Sequence, residues 1–332
     1  MSTNIDNFID DLAKRDFIVF AGAGVVGETG VSPSWKRLLE KFKGDEPESV
    51  EENLEEIDES EYPRVAQNIF ERLRLANKEH RYYEVLRNSL FATNAPHSAH
   101  EIDIVTTAKH VITTNFDDTF ESALKFVLEE KEGCTRVVQS LPDLGFDALS
   151  KEYSVSYLHG RVNEHCIVLR EDDYRAFYPS QFGRNGGSDV LEVFLRNVYG
   201  ERTIVFVGFG FRDRYFLGAL QKIRSDIERN DAEGKKQKPS YSPRIKCIQH
   251  YACLQEFCRA AEEKALREKY KDKGEKEIEA IMAEKERQDE ELTGVLGEIG
   301  IIVLRYRDHR EWMDWFKRIR ENRKAIQTVK FK

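Results

Sequence analysis

The stretch FIVFAGAGVVG, residues 17–27, decides the fold class of this chain. Its first five residues are apolar, with β-branched and aromatic side chains, which is typical of a buried strand. Glycines follow at once, and they allow a tight turn in which backbone N–H groups approach a phosphate group closely. The sequence therefore predicts a buried strand at Phe17–Ala21 that runs into a glycine-rich turn.

Strand and helix patterns alternate along the rest of the chain. Apolar residues at helical spacing predict helices near residues 5–12, 34–42, 64–92 and 120–128. Short apolar runs predict further strands at 110–114, 135–139, 155–158, 166–169, 203–207, 244–250 and 301–306. Because this alternation implies right-handed crossovers, we expect an α/β fold with a doubly wound, mostly parallel sheet and helices on both faces.

The composition narrows the classes of protein to which the chain can belong. The 332 residues include 52 Lys and Arg against 60 Asp and Glu, a net charge of −8. A net acidic chain is a poor match for direct nucleic-acid binding, which normally uses a basic face. The longest apolar stretch, 17–26, is about half of the roughly 20 residues that a spanning helix needs. We therefore expect neither a membrane span nor direct nucleic-acid binding.

Cysteine usage and the N-terminal residues indicate the compartment. The five cysteines are scattered and form no C-x-x-C pair, which excludes a four-cysteine zinc ribbon and favours reduced thiols in the cytoplasm. Residues 1–16 are acidic and have no apolar core, unlike a secretory signal. The sequence thus predicts a cytoplasmic protein without a metal site.

Two charged segments stand out. Ten of the 17 residues at 45–61 are acidic, and 21 of the 33 residues at 259–291 are charged with both signs mixed. Gly274 is expected to divide the second segment into two helices. A solvated surface is the favoured interpretation of each segment, and a contact with a partner is the alternative.

These patterns predict the domain organisation. One α/β domain spans 1–250 and 296–332, with a helical subdomain at about 38–100. The charged helices form an insertion at 251–295.

Four polar or glycine-rich clusters lie at predicted strand ends, where ligands bind in such sheets. The first, Gly22 to Gly27, satisfies G-x-G-x-x-G. The acidic position about 20 residues further on has no strand before it, which disfavours an ordinary dinucleotide oxidoreductase.

The other three clusters each have a structural alternative. Asn115 and Asp117 could bind ribose and a carboxamide, or cap the following helix. His159, followed by Gly160, could act on a ligand or be a satisfied structural histidine. The glycines of Gly208-Phe209-Gly210 could approach a phosphate or ribose, or serve a turn with positive φ.

Taken together, the four clusters resemble the sirtuin family. More closely, the chain resembles the bacterial sirtuin-like NAD hydrolases of anti-phage defence, over roughly residues 17–216. The segments that carry this resemblance are FAGAGV (20–25), PSWKRLL (33–39), APHSAHEIDI (95–104), VITTNFDDTFESAL (111–124), YLHG (157–160) and VFVGFGFRDRYF (205–216).

The resemblance implies a role for each matching residue. Asn115 and His159 would be catalytic: Asn115 would position the attacking water, and His159 would contact the ribose hydroxyls. The residues implied to bind NAD are Gly22, Ala23, Gly24, Val25, Thr114, Asp117, Gly208, Phe209 and Gly210. Among these, Asp117 would meet the nicotinamide carboxamide, and Gly208 and Gly210 would lie near the adenosine half.

The chain departs from the sirtuin pattern in two ways. Val26 stands where sirtuins usually have serine. The two cysteine pairs of the zinc ribbon and the Phe-Gly-Glu run that clasps peptides in deacylases are both absent from the sequence. Protein deacylation is therefore disfavoured, and no zinc is expected.

The resemblance implies that NAD is the substrate and that no cofactor is needed. Cleavage to nicotinamide and ADP-ribose would deplete NAD in anti-phage defence. A binding module that senses NAD or ADP-ribose without turnover is the alternative, and a deacylase or ADP-ribosyl transferase is a third. As partners, the resemblance implies further copies of the chain in a homo-oligomer and a HerA-type ATPase, or alternatively a short Argonaute.

Overall fold

The computed structural model describes residues 2–25, 35–50, 53–54, 57–90, 98–129, 136–141, 143–161, 166–183, 190–237, 248–271 and 273–330. The strands in these ranges are β1 (Phe17–Ala21), β2 (His110–Thr113), β3 (Arg136–Ser140), β4 (Tyr153–Tyr157), β5 (Gly160–Arg161), β6 (Cys166–Ile167), β7 (Thr203–Val207), β8 (His250–Gln255) and β9 (Ile301–Tyr306).

Helices flank these strands along the chain. They are α1 (Ser2–Lys14), α2 (Trp35–Asp45), α3 (Tyr62–Leu75), α4 (Glu79–Leu90), α5 (Ala99–Ala108), α6 (Thr119–Leu128), α7 (Glu171–Phe177), α8 (Val190–Glu201), α9 (Arg214–Gln237), α10 (Arg259–Lys269), α11 (Glu275–Glu298) and α12 (His309–Lys330). Among the described helices, none is long and apolar enough to cross a membrane.

Seven of the strands form one parallel sheet in the order β3-β4-β2-β1-β7-β8-β9. β1 lies at its centre, where Val19 pairs with Val111 of β2 on one side and Val205 of β7 on the other. All five residues of β1 are buried, as expected of a parallel strand covered on both faces. The predicted α/β fold with a doubly wound sheet is confirmed.

The alternation of side chains along β1 divides the core into two layers. Phe17 and Val19 face one layer, which α1, α5, α6 and α12 cover. Ile18 and Phe20 face the other, which α8, α9 and the end of α11 cover. Successive residues of a strand point to opposite faces, so the uniformly apolar run from 17 to 21 fits a strand between two helical layers.

The order of the strands fixes where a ligand can bind. From β1 the chain continues to β2 on one side of the sheet, whereas β7, on the other side of β1, begins the second half. The strand order therefore changes direction between β1 and β7, the point at which such sheets bind ligands at the carboxyl ends of their strands. Three of the four clusters singled out in the sequence follow β1, β2 and β7, and the fourth follows β4.

Two predicted strands need correction. The strand expected at 244–250 is wrong: β8 begins at His250, and residues 244–247 lie outside the described residues. The buried run from His250 to Leu254 pairs with β7 and β9, so β8 takes its place through partners distant in sequence. The strand expected at 166–169 is limited to β6, which pairs antiparallel with β5 outside the main sheet.

The boundary of the predicted insertion at 251–295 changes for the same reason. Residues 251–255 belong to the central sheet, and the charged helices begin at Arg259. α10 and α11 share a small core of Leu266, Ile278 and Met282. Gly274 precedes the first residue of α11, as expected. Further along α11, Leu296 packs against the main sheet.

The helical subdomain has its own core. α2, α3 and α4 pack through Leu39, Phe42, Ile69, Phe70 and Leu86, among other apolar side chains. The acidic run at 45–61 is tied to this unit in part, since Val50 and Leu54 are buried in its core. Glu46 of that run pairs with Lys78 and Arg81, and the hydrogen bond from Arg81 is the main reason that the pKa of Glu46 is lowered.

Candidate active site

One wall of the site is made of backbone. The loop after β1 lies against the loop after β7: Gly22 N donates to Val207 O at 3.0 Å, and Gly24 N donates to Gly208 O at 2.9 Å. A Cβ atom added to Gly22 would lie 2.4 Å from Gly208 O, and one added to Gly24 would lie 2.9 Å from the same atom. Both positions must therefore be glycine for the two loops to approach so closely.

Gly208 is restricted in a second way. Its φ of +60° is one that side-chain-bearing residues rarely adopt, and an added Cβ would lie 2.4 Å from Val25 N. Gly210 differs, because an added Cβ would meet only the Arg212 side chain at 3.7 Å. The turn with positive φ considered from the sequence thus accounts for Gly208 but not for Gly210.

Asn115 links the end of β2 to the glycine turn. Its side-chain N–H donates to Gly22 O at 3.4 Å, and its backbone N–H donates to Thr113 Oγ1 at 3.0 Å. The Thr113 hydroxyl in turn donates to Ala21 O at 2.9 Å. Asn115 is 5 % exposed, so its amide lies just behind the glycine turn.

Asp117 lies at the start of α6. Its Oδ1 accepts from Thr119 N at 3.2 Å and from the Thr119 hydroxyl. These bonds close a turn just before α6, whereas the N-cap residue itself, Asp118, makes no side-chain capping hydrogen bond. The role in binding the nicotinamide carboxamide, implied by the resemblance, remains a prediction.

His159 follows β4 and is buried, with 3 % of its surface exposed. Its Nε2 lies 2.8 Å from the Tyr178 hydroxyl and 3.8 Å from Asp213 Oδ2. Burial lowers the pKa of His159 to about 3, because a charged imidazolium is poorly solvated there. The ring is therefore neutral over the whole physiological pH range.

A carboxylate and two tyrosines surround the imidazole. Asp213 Oδ1 accepts from the backbone N–H groups of Tyr215 and Phe216, both at 3.0 Å. Its Oδ2 accepts from the Tyr174 hydroxyl at 3.0 Å. Burial raises the pKa of Asp213, while these three donors oppose the shift. The rings of Tyr174 and Tyr178 stack with centroids 5.7 Å apart.

A cleft of about 450 Å³ lies at the ends of β1, β4 and β7, and part of this set of residues lines it. Volumes of this order are usual for small-molecule sites. Of the residues predicted to act on or bind NAD, those lining the cleft are Ala23, Gly24, Thr114, His159, Gly208, Phe209 and Gly210. Gly22, Val25 and Asn115 lie directly behind this lining, in the hydrogen bonds of the glycine turn.

The mouth of the cleft carries charged and aromatic side chains. Lys36, Arg212 and Arg214 line it, as do Trp35 and Tyr62 of the helical subdomain, whose rings stack 6.0 Å apart. These three cations outnumber Glu59 and Asp213, the two carboxylates among the lining residues, and so suit a ligand with negative charge.

A second cavity of about 750 Å³ adjoins the cleft. The two share Gly24, Glu59 and the segment 208–212. Arg212 and Glu59 pair at 2.5 Å on their common rim. The second cavity continues past the ends of β8 and β9 to α11, where Gln255, Arg305 and Lys285 line it.

Comparison with known proteins places part of the chain in a family. Residues 109–273, about half of the chain, match the SIR2-like domain family. These residues form a SIR2-like domain. The resemblance expected from the sequence motifs is confirmed to this extent, although the glycine turn at 22–24 lies outside the matched range.

Three curated proteins are similar to this SIR2-like chain at low identity. An NAD(+) hydrolase ThsA from Acinetobacter baumannii (strain 532279) is 26 % identical over 237 residues, 69 % of this chain and 43 % of the relative. Defense-associated sirtuin 2 from Bacillus subtilis is 26 % identical over 219 residues, 63 % of this chain and 20 % of the relative. An NAD(+) hydrolase ThsA from Bacillus cereus (strain MSX-D12) is 24 % identical over 230 residues, 68 % of this chain and 44 % of the relative. The SIR2-like chain thus spans less than half the length of these relatives.

Several residues of this SIR2-like site had no predicted role. Asp213 belongs to the quoted motif at 205–216 but received no role. Tyr174 and Tyr178 are four residues apart, the spacing that puts two side chains on one face of a helical turn. This spacing could have identified the two tyrosines in the sequence. The position of Asp213 shortly after a glycine-rich strand end could have identified the carboxylate. No group of three or more His, Cys, Asp or Glu side chains that could hold a metal ion occurs among the described residues.

Proposed function

We propose that this protein is an NAD glycohydrolase, which splits NAD and water into nicotinamide, ADP-ribose and a proton. The observation that carries the proposal is the cleft at the β1–β7 crevice. There a wall of glycine backbone, as suits a pyrophosphate, lies next to a buried neutral histidine. The names of the relatives, NAD(+) hydrolase and defense-associated sirtuin, support the same substrate and a role in defence.

The chemistry of N-glycosyl cleavage suits these groups. As the bond between nicotinamide and the ribose C1′ breaks, the electron pair goes to nicotinamide, which leaves neutral, and the ribose takes on oxocarbenium character. Such a transition state needs a fixed ribose and a placed water more than a strong acid. We assign the placing of water to Asn115 and the contact with the ribose hydroxyls to His159. Gly22 and Gly24 would hold the pyrophosphate, and Gly208 would lie near the adenosine half.

The remaining predicted binding residues are assigned to the two ends of NAD in the same way. Thr114 and Asp117 would serve the nicotinamide end, while Phe209 and Gly210 would lie toward the adenosine half, where the second cavity adjoins the cleft. Ala23 and Val25 complete the turn that faces the phosphates. Each of these assignments names a position whose substitution should change NAD affinity rather than the identity of the products.

The activity would drain the cytoplasmic NAD of the cell itself, so we propose that it is controlled by assembly. A homo-oligomer with a HerA-type ATPase partner is the arrangement that we favour, with a short Argonaute as the alternative partner. Of the two charged segments, the α10–α11 hairpin is the stronger candidate for the contact, because its charged side chains are largely exposed. The acidic run at 45–61 is in part occupied with contacts to its own subdomain.

Product analysis tests the proposed function. Purified protein is incubated with NAD, alone and with an acetylated lysine peptide, and the products are separated by chromatography. We expect equal amounts of nicotinamide and ADP-ribose, and no O-acetyl-ADP-ribose. Tight NAD binding without nicotinamide release would favour the sensor alternative, and peptide-dependent O-acetyl-ADP-ribose would favour the deacylase. Light scattering of the same sample tests self-assembly, and a strictly monomeric protein with full activity would contradict the proposed control.

A further inference from the structure

The buried group around His159 contains a carboxylate that the proposed reaction has not yet used. Asp213 lines the cleft together with His159, and its Oδ2 lies 3.8 Å from His159 Nε2. The carboxylate has a fixed orientation, since Tyr215 N, Phe216 N and the Tyr174 hydroxyl all donate to it. Because it precedes the first turn of α9, it is also stabilised as an anion by the helix N-terminus.

The position of this anion decides which ring nitrogen of His159 carries the proton. A lone pair on Nε2 would face the Asp213 carboxylate and be repelled, whereas an N–H group there is attracted. The Tyr178 hydroxyl oxygen, 2.8 Å from Nε2, is placed to accept that hydrogen bond. With the proton on Nε2, Nδ1 keeps its lone pair and is the ring nitrogen that can accept a second proton.

The carboxylate also bears on the proton transfer itself. A neutral histidine in a buried site accepts a proton only with difficulty, because the imidazolium is poorly solvated. An anion 3.8 Å away offsets part of that cost when the proton arrives. In the same way, the aspartate of a Ser-His-Asp triad holds the histidine tautomer and stabilises the imidazolium.

We propose that Asp213, together with Tyr178, is a positioning residue for His159: it holds the proton of the resting imidazole on Nε2 and supplies the counter-charge when Nδ1 accepts a second proton. This inference rests on the proposed NAD hydrolysis. In that reaction the water oxygen bonds to the ribose C1′ as the bond to nicotinamide breaks. The electron pair goes to nicotinamide, and the water proton goes to Nδ1 and then to solvent.

The test combines kinetics with a direct view of the imidazole. Asp213→Asn keeps the size of the side chain and an oxygen that can accept from Tyr215 N and Phe216 N, but removes the charge. We expect the turnover number for NAD to fall by at least about tenfold, with KM changed much less, because a general base is weakened while the cleft keeps its shape. Asp226→Asn, within α9, is the matched control, since Asp226 pairs with Arg196 and Arg229 outside the cleft.

Nitrogen NMR of ¹⁵N-histidine-labelled protein reads the tautomer without any need for turnover. The His159 signals are assigned by their loss in His159→Asn. We expect protonated Nε2 in the wild type and loss of that preference in Asp213→Asn. Tyr178→Phe is a second variant that leaves the carboxylate in place, and it should keep the Nε2–H tautomer while lowering turnover less.

The outcomes separate the two proposals. A wild type with the proton on Nδ1, or an Asp213→Asn variant that keeps both the tautomer and the turnover number, overturns the role of Asp213. A wild type that releases no nicotinamide contradicts the proposed hydrolysis instead, and the NMR spectra still decide whether Asp213 holds the tautomer.

Discussion

The cleft has two walls that are built on different principles. In the glycine wall, made of Gly22, Gly24 and Gly208, two loops touch through backbone atoms, and any side chain at these positions would collide with the opposite loop. In the histidine wall, made of His159, Tyr174, Tyr178 and Asp213, buried polar side chains hold one another through hydrogen bonds. The first wall fixes a shape, and the second fixes the position of a proton.

This difference indicates how each wall should respond to substitution. A change in the glycine wall should disturb the fold and the activity together, because the same backbone contact serves both. A change in the histidine wall can leave the fold intact and remove activity, because its hydrogen bonds join only the side chains of that wall and nearby backbone groups.

The largest effect is expected at His159. His159→Ala should lower the rate of nicotinamide release by about 10²- to 10⁴-fold, the range typical of losing a general base. The circular dichroism spectrum should stay that of the wild type, since the side chain lies at the edge of a cleft rather than inside a helical layer. If His159→Ala keeps the wild-type rate while folded, the histidine wall has no part in the reaction.

The contrast between Gly208 and Gly210 gives the next largest effect. Gly208→Ala should lower the free energy of unfolding by at least about 2 kcal/mol, because of its left-handed backbone and the collision with Val25 N. Gly210→Ala is the matched control, where an added Cβ finds only ordinary contacts and should change the stability by less than about 1 kcal/mol. Urea unfolding of both variants measures the difference, and equal losses would show that close packing does not distinguish the two glycines.

A pH dependence of stability follows from the buried imidazole. His159 has a pKa of about 3 in the folded protein and about 6.5 as its ordinary value. Above pH 6.5 the imidazole is mostly neutral in the folded and the unfolded chain alike, so its burial barely changes the free energy of unfolding with pH. As the pH falls below that value the unfolded chain gains a proton that the folded one does not, and the free energy of unfolding decreases.

The expected loss from this residue is about 2 kcal/mol between pH 6.5 and pH 5. His110 and His250, whose pKa values burial lowers to about 4 and about 3, act in the same direction. The contribution of His159 is therefore measured as a difference between wild type and His159→Gln in unfolding experiments at pH 7 and pH 5. Identical pH dependence in the two proteins would contradict the neutral burial of His159.

The smallest effect on stability is expected at the rim that the cleft shares with the second cavity. Arg212 and Glu59 pair at 2.5 Å where the cleft meets the second cavity, but their side chains are 69 % and 45 % exposed. Exposed pairs of this kind contribute about 0–1 kcal/mol, so Arg212→Gln should shift the unfolding midpoint only slightly. A large loss of stability would mean that the rim, rather than the glycine wall, holds the two loops together.

The two walls also differ in how well the sequence predicts them. The glycine wall could be predicted, because a backbone contact that excludes every side chain leaves glycines at fixed positions after β1 and β7. β1, β7 and β9 were predicted at the bounds observed, since each is a short apolar run between breaks in the pattern. Local sequence carries the information in all of these cases.

The histidine wall could be predicted only in part. His159 was a candidate because Gly160 follows it at a strand end, whereas its partners come from α7, the segment after it and the start of α9. Nothing in the local pattern shows that Tyr178 and Asp213 reach the same imidazole, since this depends on how α7 and α9 pack. β8 was misplaced for a related reason, because its pairing with β7 and β9 fixes its position.

Turnover and binding measured together on Asn115→Ala test the central claim most directly. The amide of Asn115 lies behind the glycine wall and donates to Gly22 O, next to the cleft in which we propose that NAD is split. Nicotinamide release and NAD affinity are measured on the wild type and on Asn115→Ala. We expect that the wild type releases nicotinamide, and that the variant still binds NAD but has lost nearly all turnover. A variant that is folded and turns over NAD at the wild-type rate would contradict it.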